Sequence, residues 1–202
     1  MNPLVLLAKQ AIENYIKEGK IISLPEGLPE EFLTRRAGTF VSIFRSTRKT
    51  DAKQEHETDA KELRGCIGTY LPTKENIAEE IIHNAIAAAT EDYRFGPVQK
   101  EELPYLSYTV YILSEPELVK DIKELDPKKY GIIVKTMPII SPDGTDVVFN
   151  GHLPLKSGLL LPDLEGVDTV EKQISIACQK GGIDPLREKI LIYKFTVEKY
   201  QE

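Results

Sequence analysis

The residues best suited to chemistry lie in one short run, "LRGCIG", from Leu63 to Gly68. Its cysteine is one of two in a chain of 202 residues. In an extended strand alternate side chains share a face. Arg64, Cys66, Gly68 and Tyr70 then fall together, and Leu63, Gly65, Ile67 and Thr69 fall opposite. The apolar members assign the second set to a core. A guanidinium near a thiol favours the thiolate, which is the nucleophile and the metal ligand. Arg64 and Cys66 are therefore the candidate catalytic pair. Gly65 and Gly68 put no side-chain bulk beside the thiol, and strand glycines often mark close approach of a ligand or another backbone. They are read as substrate- or partner-binding positions. The plain alternative for Cys66 is a small hydrophobe in a core. Cys178, on the apolar side of a helix with Ile174 and Ile176, is read as core.

A cysteine nucleophile usually wants a base, and the chain has three histidines. His83 falls on the polar face of its helix and reads as solvated. His152, in "NGHLPL", sits in a loop and is a candidate base with no fixed place. His56 receives no role. Asn84 lies at the margin of an apolar helical stripe, where a carboxamide needs partners. It either holds a loop backbone or faces the site beside Cys66. Asp92 and Arg94 follow at the helix end, pairing with each other or anchoring the next turn. With Asn84 they complete the binding candidates. The cysteines and histidines show no zinc-ligand spacing, so no metal is expected. No phosphate-binding glycine loop, dinucleotide fingerprint or serine nucleophile elbow occurs, and no cofactor is expected.

These residues need elements to position them. Leu4, Leu7, Ala8, Ala11, Ile12 and Tyr15 recur at helical spacing, so a helix is predicted from Pro3 to Lys17 with Gly19 just past its stop. No small-residue cleavage site follows, so the segment reads as a packed helix rather than a signal peptide. A short helix follows Pro29. "GTFVSIF" alternates as a strand, with Phe40, Ser42 and Phe44 on one face and Val41 and Ile43 on the other. The charged stretch 45–62 predicts a mobile, solvated hairpin loop, or a flap over a cleft. The signature strand follows, antiparallel to the first. "TKENIAEEIIHNAIAAAT" is the strongest helix, with Ile77, Ala78, Ile81, Ile82, Ala85, Ile86, Ala88 and Ala89 on one broad face. "YLSYTVYILS", "KKYGIIVKT" and "TDVVFN" read as further strands, and "SGLLLPDL" as a buried strand or turn. "TVEKQISIACQKGG" is a helix with Thr169 as cap and Gly181 as stop. "KILIYKFTVEKY" reads as one last alternating strand. This irregular order predicts an α+β fold with a mainly antiparallel sheet.

Composition narrows the function classes. Hydrophobic residues at 41% allow a sizeable core. A net charge of −6 argues against nucleic-acid binding and against anionic membranes. No apolar run is long enough to span a bilayer. Two cysteines far apart make no disulfide framework and suit a reducing cytoplasm.

At this point the residues resemble a known family. "LRGCIG" resembles the signature of the AMMECR domain family. "RAGTFVSI", "NAIAAATEDYRFGPV", "EELPYLSYTVYILSEPE", "GLLLPDL" and "CQKGGI" follow the family's other segments in order, so the likeness covers most of the chain. The resemblance implies one domain over residues 1–202, with two lobes and the signature strand lining a cleft between them. It also implies the AmmeMemoRadiSam system, with Memo-like and radical-SAM proteins as partners or fusion neighbours. The family's biochemical activity is not firmly assigned. The signature maps to Leu63–Gly68, and the flanking segment to Asn84, Asp92, Arg94 and Phe95. Two departures stand out: the long charged loop before the signature, and the extra sequence "MPIISPDGTDVVFNGHLP" before "LLP". Two functions compete. One is an enzyme or enzyme component that uses Cys66 as a nucleophile or acceptor thiol. The other is a non-catalytic module that binds a peptide or partner protein against the glycines.

Overall fold

The fold is that of a computed structural model, which describes residues 1–48, 59–137 and 155–201. It is α+β, with two antiparallel sheets and helices packed on them. The chain divides into two compact units: Met1–Leu113 with Glu198–Glu202, and Ser114–Val197.

The first unit opens with α1 (Pro3–Glu18). Asn2 caps it by accepting from the Leu4 N–H at 2.9 Å, Pro3 sits where its missing N–H costs nothing, and Gly19 ends it in the left-handed conformation at φ 70°. A short α2 (Glu30–Thr34) follows Pro29. The sheet holds β1 (Thr39–Arg48), β2 (Asp59–Gly68), β3 (Leu106–Leu113) and β8 (Val197–Gln201), in the order β2-β1-β3-β8. The long helix α3 (Ile77–Thr90) is capped by Asn76, whose side chain accepts from the Glu79 N–H. Leu4, Leu7, Ala8 and Ile12 of α1 join Ile77, Ile81, Ala85 and Ala88 of α3. They bury against Val41, Ile43, Val110 and Ile112 of the sheet. Val41 and Ile43 face the core as the alternation requires.

The second unit orders its strands β4-β7-β5-β6: β4 (Glu117–Leu118), β5 (Gly131–Thr136), β6 (Ser157–Leu160) and β7 (Ile190–Phe195). Helix α4 (Val170–Gly181) is capped by Thr169, and Gly182 ends it at φ 61°, one residue beyond the expected stop. Its core gathers Ile132, Val134, Leu160, Ala177, Cys178 and Ile183.

Two expectations change. The expected loop 45–62 is strand at both ends, because Arg45 pairs with Glu62 and Ser46 with Lys61. Ladder hydrogen bonds and a cross-strand charge pair, Arg45 to Glu62 at 4.0 Å, sustain a hairpin without apolar side chains. The expected single last strand is two. It breaks at Thr196, so that β7 joins the second sheet and β8 the first, and alternation alone carries no sign of a change of sheet. Two-residue β4 was too short to show any period. The "TDVVFN" strand, His56 and His152 lie outside the described residues.

Candidate functional site

The signature strand is an edge strand, and a bulge interrupts it. Ile43 pairs with Gly65, but Phe44 pairs with Leu63, which leaves Arg64 as the extra residue. A one-residue slip reverses the face of everything beyond it. Leu63 therefore joins the Phe44 face and is 38% exposed, where alternation had put it in the core. Gly65 and Ile67 keep the core face.

Cys66 is half-buried. It sits opposite Ser42, which sits opposite Thr109, so three small polar side chains cross the sheet in a row. Ser42 Oγ donates to Cys66 Sγ at 3.2 Å. The Cys66 N–H donates to Asp92 Oδ2 at 2.8 Å, and Arg94 Nη2 donates to the Cys66 carbonyl at 3.4 Å. Arg94 also forks onto Asp92, with Nε to Oδ1 at 2.9 Å and Nη2 to Oδ2 at 2.7 Å. Asp92 is buried, and its carboxyl is held below the usual range. The Arg94 fork is the main cause and the Cys66 N–H adds to it, against the opposing effect of burial. Arg94 is pushed above its ordinary value, first by Asp92, with the Cys66 charge contributing in the same direction. Arg94 rather than Arg64 is therefore the guanidinium that contacts Cys66, at its carbonyl.

Arg64, the expected partner of Cys66, is engaged elsewhere. Its Nε and Nη2 fork onto Glu102 at 2.7 and 2.9 Å, and Nη1 and Nη2 donate to the carbonyls of Gly96 and Pro97 at 2.9 and 3.2 Å. Glu102, 38 residues away in sequence, is lowered chiefly by this fork. As the bulged residue, Arg64 is aimed along the edge of the sheet rather than across its face.

The glycines also serve the chain itself. A side chain at Gly65 would run into the Ala88 carbonyl of α3, and one at Gly68 into the Thr39 carbonyl and the Phe40 ring. The space expected to admit a ligand is filled by helix backbone and a cross-strand aromatic. Asn84 is buried on the α3 side of the sheet, away from the Cys66 side chain. Its amide donates to the Thr39 carbonyl at 3.0 Å and to Thr39 Oγ1 at 2.9 Å, so it holds backbone, the first of its two expected roles. His83 is exposed on α3. Of the candidates, the structure brings Cys66, Asp92 and Arg94 together, keeps Arg64 beside them on its own partners, and sets Asn84 apart.

Sequence reasoning missed Ser42, Glu80 and Glu102. Glu80 is fully buried and accepts from Thr69 Oγ1, the Thr73 N–H and hydroxyl, and the Lys74 N–H, at 2.6 to 2.9 Å. A glutamate one turn before Asn84, beside the margin of the apolar stripe of α3, was the available signal. Among the described residues, no group of three or more His, Cys, Asp or Glu side chains is placed to hold a metal ion. Among them, no helix is long and apolar enough to cross a membrane.

The chain belongs to the AMMECR1 family, whose model matches residues 5–200. It is 50% identical over 200 residues to a protein of Thermotoga maritima, covering 99% of this chain and 98% of that one. It is 40% identical over 202 residues to a protein of Clostridium acetobutylicum, and spans 36% of that longer chain. The crystal structure of an uncharacterised protein of Pyrococcus horikoshii superposes with a TM-score of 0.78 at 32% identity, over 98% of this chain and 89% of that one.

Proposed function

We propose that this protein is an enzyme component whose working group is the Cys66 thiol, acting in the cytoplasm with Memo-like and radical-SAM proteins. The observation that carries the reading is the hydrogen bond from Ser42 Oγ to Cys66 Sγ, made beside the Arg94 guanidinium. A donor and a neighbouring cation both favour the thiolate. The thiolate acts as nucleophile or acceptor, with the cationic role passing from Arg64 to Arg94. The named partners rest on the family resemblance alone.

The rival reading, a peptide backbone seated against Gly65 and Gly68, loses its support. The chain's own atoms fill the space beside both glycines, and Asp92 and Arg94 take the Cys66 N–H and carbonyl. One observation favours a different contact: Tyr93 is 96% exposed next to Arg94, an aromatic and a guanidinium of the kind that dominate protein interfaces.

The test is the pH dependence of thiol alkylation, with Cys66 and Cys178 resolved by mass spectrometry. The expected midpoint for Cys66 lies below the ordinary thiol value of about 8.5. Arg94→Ala and Ser42→Ala each raise it, Ser42→Ala by less than about one pH unit, since a single hydrogen bond contributes about 1 kcal/mol. An inert or ordinary Cys66 in the wild type would sink the thiol reading and turn attention to partner capture through Tyr93.

A further inference from the structure

We infer that Arg64 is a positioning residue: it fixes the segment Tyr93–Pro97 and, through that segment, holds Arg94 against Cys66. The inference rests on the thiol reading above and names the residue that keeps the cation in place.

Three observations support it. The bulge gives Arg64 a position that no regular strand residue has, beside the chain that leaves α3. Its side chain is 13% exposed and joins three places at once: Glu102, the Gly96 carbonyl and the Pro97 carbonyl. Apart from the half-buried Phe95, the segment it grips is open to solvent. Tyr93 is 96% exposed, and nothing lies within 4 Å of where a side chain on Gly96 would begin. An exposed segment with a glycine orders itself only against an entropic cost, so something must hold it. At its start, Asp92 accepts from the Arg94 N–H through its side chain and from the Phe95 N–H through its carbonyl. Past its end, the Val98 N–H donates to Ala89. Between those points the Gly96 carbonyl is taken by Arg64, and the Pro97 carbonyl by Arg64 and Gln99. Glu102 completes the frame, because its carboxylate also accepts from the Gln99 N–H at 2.9 Å. Only a planar guanidinium can fork onto a carboxylate and reach two carbonyls together. A lysine ammonium is a point charge without that geometry.

The experiment uses the full chain with Arg64→Ala, Arg64→Lys, Glu102→Gln, Arg94→Ala and the double variant Arg64→Ala/Arg94→Ala. Two quantities are read: hydrogen exchange over residues 93–98, and the pH profile of Cys66 alkylation with iodoacetamide. Arg64→Ala is expected to speed exchange in that segment by about tenfold or more. It is also expected to move the Cys66 profile towards that of Arg94→Ala. Arg64→Lys should behave like Arg64→Ala, and Glu102→Gln should give the same changes at smaller size. The double variant should titrate like Arg94→Ala alone. Unchanged exchange in both Arg64→Ala and Glu102→Gln overturns the inference. So does a double variant whose shift is the sum of the singles, because Arg64 would then act on the thiol directly. If Arg94→Ala leaves Cys66 unmoved, the thiol reading fails by itself, and the exchange result still decides whether Arg64 fixes the segment. Should Arg64→Ala fail to fold, Glu102→Gln and Arg64→Lys carry the test.

Discussion

In the first unit, Gly65 of β2 lets the Ala88 carbonyl of α3 come down on an edge strand; in the second, Gly158 of β6 does the same for the Ala177 carbonyl of α4. The two sheets share this packing device and differ in the cysteine set beside it. Cys66 follows Gly65 on the strand, faces Ser42, and has Arg94 at its carbonyl. Cys178 follows Ala177 on the helix and is 2% exposed among Ile132, Val134 and Ile183, where burial pushes its thiol up. The same residue type next to the same close contact gets opposite surroundings, because one lies on the polar face of a sheet and the other on the apolar face of a helix. Placement on a face, rather than the glycine neighbour, sets the chemistry of the thiol.

The largest expected consequence is kinetic. With a neutral alkylating agent on the folded protein, Cys66 should outpace Cys178 on the order of 10³-fold or more. A core thiol reacts only when its unit opens, and opening of a core is rare. Mass-resolved time courses measure the ratio. Equal rates would erase the contrast between the two sites, while a large ratio that disappears in denaturant would show that folding creates it.

Next in size is a test of the shared device. Gly65→Ala and Gly158→Ala should each cost about 3 kcal/mol, since the added carbon meets helix backbone that cannot step aside. For a chain of this length that corresponds to a fall of about 6–12 °C in melting temperature. Gly96→Ala, with open space around it, should stay within about 0.5 kcal/mol. A small loss at one of the first two positions would mean that only one unit depends on glycine for its helix–strand approach.

These contacts mark the limit of what the sequence made legible. Periodicity and end signals suffice for α1, with Gly19 as its stop, and for α4, with Thr169 as its cap. Alternation suffices for the faces of Val41 and Ile43. Each of these is written within about four residues of itself. The site is not. The bulge that frees Arg64 comes from pairing Leu63 with Phe44 and Gly65 with Ile43 on another strand, and the partner that claims it, Glu102, lies 38 residues later. The pairing of Arg94 with Asp92 could be anticipated because it spans two residues, whereas its place at Cys66 spans 28. Gly65 was legible as a close approach, but the sequence did not say that the approaching group is the chain's own helix.

The smallest expected effects come from the buried polar groups, which also separate the units. Glu80 in the first unit is fully buried yet ionised. Burial is the largest single influence on its carboxyl and pushes it up, but the donors from Thr69, Thr73 and Lys74 together outweigh it and leave the carboxyl lowered. Glu80→Gln turns an acceptor into an amide that faces donors, and should cost about 2 kcal/mol near neutral pH. A folded-state pKa below the unfolded value means stability present above about pH 4.3 and lost as pH falls through the folded value. The gap between wild type and Glu80→Gln should therefore stay constant above about pH 5 and narrow below pH 4 in denaturant melts. A gap that ignores acid would mean that the Glu80 carboxyl titrates alike in the folded and unfolded chain, and a gap that widens in acid would mean that it is neutral in the fold. In the second unit, Gln173 is equally buried. Its amide donates to the Tyr130 carbonyl at 2.7 Å, but its Oε1 has no partner among the described residues. Gln173→Met loses that one bond and also removes an unpaired acceptor, so it should cost less than Glu80→Gln, about 1 kcal/mol or below, with no dependence on pH. If Gln173→Met proved the more costly, the second unit would depend on its polar core as much as the first, and only the cysteines would still tell the two apart.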